Sequence, residues 1–189
     1  MKYSFILLAL IALNCTTSQN TGLYEKYNPD DFLYWSSNRS LSWSDFQGSL
    51  SLSNQNLPSE IIIYNPSTIE KSNVLSKPSL TSFVVMDKKK SWCKKENRND
   101  KHLLYNQVIF DLYELNRREL EMKFSQTDFS TEGYKEEFKK LTEENNRSML
   151  IAIEQFRIES NLGDDFDAVK NWNRRIRSQI QKLNGTITN

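Results

Sequence analysis

Apolar residues recur at helical spacing in the middle of the chain and predict a long central helix over 101–120 and beyond. Their positions are four, four and three residues apart, which places them on one face of a helix. These residues are Leu104, Val108, Leu112 and Leu115. Tyr105 and Ile109 lie beside this face, one helical turn apart. We expect the helix to begin at about Asp100 and to end near 124–126.

Two further apolar stripes predict two more helices. The first stripe, over 134–158, consists of Tyr134, Phe138, Leu141, Met149, Ile153 and Phe156. The second consists of Phe166, Val169, Trp172, Ile176, Ile180 and Leu183. The segment 161–165 separates them, and Asp164 or Asp165 can cap the last helix. Gly185 is expected to end it, since glycine is common just after helices.

The first hundred residues carry shorter extended segments. Runs at 60–64 and 80–86 are rich in β-branched and apolar residues and predict strands. The segment 39–48 predicts a short strand or extended arm that Gly48 closes, and 67–79 resembles a loop. We therefore predict an α+β fold, in which a small N-terminal antiparallel sheet packs on about three helices. One domain, 23–186, accounts for all of these elements.

The N-terminus has the composition of a targeting segment. Lys2 and the apolar run that follows it predict a signal peptide over 1–14. The run ends at Cys15, as in a bacterial lipoprotein signal, although Asn14 stands where a small residue is usual. Lipid attachment at Cys15, plain secretion and an uncleaved anchor are the three alternatives. Residues 15–22 would form a polar tether.

Charge and cysteine content exclude several classes of protein. The chain has 25 basic and 24 acidic residues, and removal of Lys2 with the leader would leave 24 of each. A near-neutral protein lacks the basic excess that binding to a nucleic-acid backbone needs, so we expect no nucleic-acid partner. With Cys15 lipidated or removed, Cys93 cannot form an internal disulfide. We expect it to be a small, partly buried apolar residue.

The side chains that could perform chemistry are few. His102 is the only histidine, and we expect it on the surface near the start of the helix. Asp111 and Glu114 are expected to form salt bridges with Arg117 and Arg118. The alternative is an active zinc-dependent or carboxylate-based hydrolase with a relocated site. Its catalytic residues would be polar residues that belong to no standard motif. That set is His102, Asp111, Glu114 and Glu159.

Three separated segments carry motifs that can be compared with a known family. They are LSWSDFQG over 41–48, SW at 91–92 with LLYNQVIFDLYELNR over 103–117, and FRIESNLG over 156–163 with Trp172-Asn173 and Ile176 after it. Together they resemble a bacterial family catalogued as a domain of unknown function and described as predicted secreted zinc-dependent proteases. The corresponding family motifs are L-x-W-x-D-F-x-G, S-W, L-L-x-H-E-Q-x-H-F-D-I-x-E-L-x-A-R, Y-D-x-E-T-x-H-G and W-N-x-x-I. The resemblance runs from about Leu41 to Leu183.

The differences from the family fall on its zinc site. The resemblance places the two histidines of H-E-x-x-H at Tyr105 and Ile109, the glutamate at Asn106, and the candidate third ligand at Leu162. Tyrosine must lose a proton to bind a metal, asparagine is not a general base, and isoleucine and leucine offer no lone pair. We expect these vestigial positions to fill the former metal cavity and extend the core.

The motif residues outside the zinc site match the family instead. They are Leu104, Gln107, Phe110, Asp111, Glu114, Arg117, Glu159 and Asn161. The resemblance thus implies a zincin-like central helix without catalytic residues, metal or other cofactor. We expect an exported, lipid-anchored, inactive relative of a zinc metallopeptidase in the bacterial outer membrane or periplasm. Its role would be binding or scaffolding, with an unknown envelope protein as partner or with none.

Overall fold

Four helices form most of the part of the chain that the structure describes. The structure is a computed structural model and describes residues 21–50 and 56–187. The helices are α1 (Thr21–Glu25), α2 (Asp100–Gln126), α3 (Tyr134–Glu159) and α4 (Phe166–Ile187). The predicted bounds of α2 and α3 are confirmed, because their apolar stripes and flanking breaks define them locally.

The centre of the fold is α2. It packs against α3 and α4 on one side and against strands on the other. Val108, Leu112 and Leu115 are buried in one core cluster with residues of α3 and α4. The Asn99 side chain caps the helix by accepting a hydrogen bond from the His102 backbone N–H at 3.1 Å. The apolar stripe therefore forms one buried face of the helix, as its spacing predicted.

Within 21–50 and 56–187, seven short strands form three small antiparallel sheets. The strands are β1 (Phe32–Tyr34), β2 (Ser59–Glu60), β3 (Ile63–Tyr64), β4 (Ser67–Glu70), β5 (Ser79–Ser82), β6 (Val85–Asp87) and β7 (Trp92–Cys93). The sheets have the orders β1-β6-β3, β2-β7 and β4-β5. Val85 and Met86 are fully buried at the centre of the largest sheet. The predicted α+β class is confirmed.

Several predicted boundaries in this half are wrong. The run at 60–64 is divided between β2 and β3, which lie in different sheets, and 80–86 is divided between β5 and β6. The supposed loop at 67–79 contains β4, which pairs with β5 from Ser67 to Glu70. These short strands obtain their stability from pairing partners distant in sequence, which a local pattern does not contain.

The arm at 39–48 is extended and contains a short 3-10 turn, Trp43–Asp45, in place of a strand. The Asp45 carboxylate accepts hydrogen bonds from the backbone N–H of Ser42 at 2.8 Å and from Arg39 at 2.7 Å. Gly48 lies against the 89–91 backbone, and a Cβ there would approach the Lys90 carbonyl carbon to 2.8 Å. The Gly48 position therefore needs glycine for close approach.

Two helix ends also differ from expectation. Helix α4 continues through Gly185 to Ile187, so the predicted stop is wrong. Asp165 is its cap, since its carboxylate accepts the Ala168 N–H at 3.0 Å. Phe166 is 40% exposed and does not belong to the buried stripe.

The predictions at the N-terminus fall mostly on residues that the structure does not describe. The signal peptide over 1–14 and the lipid site at Cys15 lie outside the described residues. Helix α1 begins at Thr21, so the predicted tether of 15–22 extends two residues too far. Across 21–50 and 56–187, no helix has the length and apolar character needed to span a bilayer.

Cys93 is buried in β7, as predicted for a small apolar residue. Its Sγ donates to the Lys94 carbonyl at 3.3 Å. Burial raises the pKa of its thiol to about 11, so the reactive thiolate is scarce at neutral pH.

Candidate functional site

The four positions that the sequence motifs pair with a zinc site lie on one cavity. Tyr105, Asn106 and Ile109 enter it from α2, and Leu162 enters from the turn after α3. The cavity has a volume of about 470 Å³. Its other walls are the segment 57–61 and the last turns of α3, with Glu154, Arg157, Ile158 and Asn161. Residues 57 positions apart in sequence, Tyr105 and Leu162, thus share one surface.

Tyr105 is packed into the core at the inner wall of the cavity. It is 4% exposed, and its ring stacks on Phe156 with centroids 5.1 Å apart. Burial raises the pKa of the Tyr105 phenol, and the nearby Arg157 guanidinium only partly opposes this effect. The phenol is therefore protonated at neutral pH, which makes it a poor metal ligand.

The turn that carries Leu162 has an unusual backbone. Asn161 and Leu162 have φ values of 47° and 52°, and Gly163 has a φ of 97°. Leucine rarely adopts this left-handed conformation, whereas glycine does so readily. A Cβ at Gly163 would lie 2.9 Å from Tyr105 Cγ, so the turn can approach the tyrosine only with glycine there. Tyr105 and Gly163 together fix where Leu162 borders the cavity.

Asn106 is fully buried and its polar atoms are used in hydrogen bonds. Its Nδ2 donates to the His102 carbonyl at 2.8 Å and lies 3.0 Å from Ser59 Oγ. Its Oδ1 is 3.2 Å from the same hydroxyl. The side chain thus connects α2 to β2, and it has no group that takes up a proton at neutral pH.

Ile109 is 4% exposed and belongs to the main core cluster. Tyr105 and Ile109 therefore extend the core, whereas the polar Asn106 and the half-buried Leu162 do not belong to the core cluster. The expectation that they would fill the cavity is wrong, because a cavity remains in front of them. Ile158, which is 72% exposed, and Leu162 form its apolar outer rim.

His102 is buried, and the prediction of a surface histidine is wrong. It is 3% exposed, with Nδ1 3.3 Å from Asn99 Oδ1 and Nε2 3.4 Å from Asn97 Nδ2. Its burial and the nearby Lys101 lower its pKa, while Asp164 opposes them. Asn97 and Asn99, in the loop before α2, lie against the imidazole. The apolar stripe begins only at Leu104, so the sequence pattern of the helix does not indicate this burial.

Asp111 has different partners from those expected. Its Oδ1 accepts from Trp35 Nε1 at 2.8 Å and from Gln107 Nε2 at 2.7 Å, and its Oδ2 accepts from Arg177 at 3.1 Å. Gln107 in turn accepts the Leu41 N–H at 2.8 Å. Burial raises the pKa of Asp111, and these donors oppose the shift. The predicted pairing of Asp111 with Arg117 and Arg118 is wrong, since Asp111 joins α2 to Trp35, just after β1, and to α4.

Glu114 forms the predicted salt bridges. It accepts from Arg117 at 2.8 Å and from Arg118 at 2.6 Å, and it is almost completely buried. Arg117 also pairs with Glu121. Glu159, on the exposed end of α3, accepts from Trp172 Nε1 at 2.6 Å and from Gln155 at 2.7 Å.

The polar set proposed for a relocated hydrolase is therefore divided. His102, Asp111, Glu114 and Glu159 have separate hydrogen-bond partners, and none of them lines the cavity. Within the described parts of the chain, no three His, Cys, Asp or Glu side chains are close enough to hold a metal ion. Among the described residues around the cavity, the carboxylates are those of Glu60 and Glu154, and Glu60 accepts a hydrogen bond from Trp92 Nε1 at 3.0 Å. Two carboxylates do not supply the three protein ligands that a zinc site takes.

The sequence alone did not identify Ser59, Glu154 and Arg157 as polar residues at the cavity. Ser59 directly precedes the run predicted as a strand, and nothing in its local pattern shows that its partner is the buried Asn106. Arg157 and Glu154 lie on the exposed side of α3, where charged residues are ordinary and carry no signal of a site. Arg157 follows Phe156 at the start of the third motif. This position was the one sequence signal that Arg157 lies at the candidate site.

Comparisons with protein-family models, with curated proteins and with solved structures found no match to this chain.

Proposed function

We propose that this chain is an exported, lipid-anchored and non-catalytic relative of a bacterial zinc metallopeptidase. The observation that carries the proposal is the convergence of Tyr105, Asn106, Ile109 and Leu162 on one cavity. Tyr105, Asn106 and Ile109 lie within about one turn of α2 and would share a surface in any case. The informative position is Leu162, which borders the same cavity although it is 57 residues from Tyr105 in sequence.

The chemistry of the cavity supports a binding role in place of hydrolysis. A buried phenol, a hydrogen-bonded amide and two aliphatic side chains cannot activate water through a metal. The rim combines aliphatic Ile158 and Leu162 with charged Glu154 and Arg157. Such a surface suits part of an envelope protein, whose apolar residues contact the rim and whose charges pair with it.

Zinc content and proteolysis test the absence of catalysis. The purified protein, refolded with zinc, should hold less than about one-tenth of a zinc per chain by mass spectrometry. It should not cleave casein or unstructured peptides. About one bound zinc together with chelator-sensitive cleavage would establish an active hydrolase instead. Cleavage that resists chelators would point to carboxylate chemistry.

A restored site tests the geometry directly. The variant Tyr105→His, Asn106→Glu, Ile109→His and Leu162→His should bind about one zinc per chain, since it supplies three nitrogen ligands and a base. A matched variant that keeps Leu162 has only two histidines and should bind zinc more weakly. Circular dichroism establishes that both are folded. A folded four-residue variant that binds no more zinc than the wild type would refute the proposed correspondence.

The lipid anchor has its own test. Expressed in a bacterial host, the wild type should incorporate radioactive palmitate, and Cys15→Ala should not. Equal labelling of both would show that Cys15 is not the attachment site.

The binding role is tested with a photo-crosslinking amino acid at Leu162. An adduct is expected there and not at Ser148, which is exposed on α3 but does not line the cavity. No adduct at either position would favour a structural envelope lipoprotein without a recognition role.

A further inference from the structure

Helix α3 has an apolar strip on the side that faces away from the core. Leu150, Ile151 and Ile158 are 57%, 63% and 72% exposed. The buried residues of the helix lie on its other side, and they are Phe138, Asn145, Met149, Ile153 and Phe156. At 100° per residue, the exposed three lie within one third of the helix circumference. Large aliphatic residues grouped in this way indicate an interaction surface.

Four exposed charged residues on or beside this strip have a symmetric order, whereas Glu143, which also lies on the strip, mirrors the aliphatic Ile158. On either side of the point between Leu150 and Ile151, Arg147 and Glu154 are equally distant, and so are Glu144 and Arg157. Each mirrored pair joins a positive with a negative side chain, and all four residues are exposed. An antiparallel copy of the same helix brings mirrored positions opposite each other. The strip is therefore complementary to itself in charge as well as in its apolar centre.

We propose that a second copy of this chain packs its α3 antiparallel on the first, about a two-fold axis between Leu150 and Ile151. Leu150 of one copy lies against Ile151 of the other, and both mirrored ion pairs form twice. A two-fold axis makes the contact closed, so assembly stops at the dimer. The charged pairs span about 20 Å along the helix, at 1.5 Å per residue.

The dimer would also change the cavity. Glu154, Arg157 and Ile158 belong both to the strip and to the cavity wall. The second copy would place its own Glu144 beside Arg157 and so contribute to the rim. The inference rests on the exposed face of α3 and stands whether or not the cavity descends from a zinc site.

Cysteine crosslinking tests this contact. Single cysteines are introduced into the full chain, the variants are expressed in bacterial cells, and a short bismaleimide joins two cysteines that lie close together. Leu150→Cys lies next to the axis and should give a covalent dimer on a reducing gel. Ser148→Cys is exposed on the same helix but off the strip, and it should give none. The wild type controls for Cys15 and for Cys93, which is buried. No dimer with Leu150→Cys, or equal dimer at both positions, would overturn the proposal.

Charge reversal tests the antiparallel register. In the Leu150→Cys chain, Arg147→Glu or Glu154→Arg alone should weaken dimerisation by about tenfold, because each places like charges opposite one another in two places. The two changes together exchange the charges and should restore dimerisation to near its original level. Failure of the double variant to recover, with circular dichroism unchanged, would overturn this register. Neither residue lies in the core, so the fold is expected to persist.

Discussion

The two sides of α2 differ in how they use their polar groups. On one side Gln107 and Asp111 bond to each other and are tied to the arm, to Trp35 and to α4 by three further hydrogen bonds. On the other side Tyr105 and Asn106 border the cavity. The residues that agree with the metallopeptidase motifs lie mainly on the first side, and those that differ lie on the second. The comparison teaches that one side of α2 uses its polar groups to fasten neighbouring segments, whereas the other side leaves a cavity open beside it.

The largest effect is expected on the scaffold side. Asp111→Ala leaves Trp35 Nε1 and Gln107 Nε2 without their acceptor in the interior. We expect a loss of about 3 kcal/mol in the free energy of unfolding, measured by urea denaturation. Asp111→Asn keeps one acceptor oxygen and should cost about 1 kcal/mol. Equal costs for the two variants would show that the network does not stabilise the fold in this way.

The next largest effect is expected at Gly163, whose backbone conformation lets the turn after α3 approach Tyr105 at the cavity. Gly163→Ala adds a Cβ at a positive φ and 2.9 Å from Tyr105 Cγ. The free energy of unfolding should fall by about 2 kcal/mol. Gly22→Ala is the matched control, since a Cβ there meets nothing within 4 Å. If both glycines tolerate alanine equally, the close approach of the turn to Tyr105 is not required.

A smaller effect is expected at Asn106. Asn106→Ala removes the link to Ser59 and to the His102 carbonyl, and should cost about 1.5 kcal/mol. Ser59→Ala breaks the same link from β2. A double-mutant cycle should give a coupling of about 1 kcal/mol between the two residues. Additive costs would mean that the two side chains do not interact in solution.

The smallest effect is the contribution of His102 to the pH dependence of the free energy of unfolding. Its pKa in the folded protein lies below the ordinary value of 6.5, chiefly because of burial. Below about pH 6.5 the unfolded chain therefore binds a proton that the folded protein does not, so stability falls as the pH falls. The facing groups are Asn97, Asn99, Lys101 and Asp164.

Urea midpoints at pH 7.5 and 5.5 measure this contribution. His102→Gln cannot take up the proton, so its midpoint should fall less than that of the wild type. Identical declines for both proteins would place the pH dependence on other groups.

The fold was predictable to the extent that its elements are local. Helix α2 has an apolar stripe and an N-cap within 28 residues, so its pattern was sufficient. Strand β4 has no comparable signal, because Ser67–Glu70 becomes a strand only by pairing with Ser79–Ser82. His102 shows the same limit for side chains, since its burial comes from a loop that packs over it.

The candidate site divides in the same way. Its residues on α2 and in the turn could be named from their positions in the motifs. The open cavity, the part played by Arg157 and the positive φ of Leu162 could not, because each depends on how the turn after α3 packs on Tyr105.

The sequence by itself determined the apolar stripes of the three long helices, the fold class and the chemistry available at Tyr105, Ile109 and Leu162, because periodicity and side-chain chemistry are properties of the residues alone. Only the tertiary structure decided that Tyr105 and Leu162 share a cavity and that Asp111 bonds to Arg177. It also decided which α3 residues remain exposed. Burial and contact depend on segments distant in sequence, and packing brings those segments together only when the whole chain has folded.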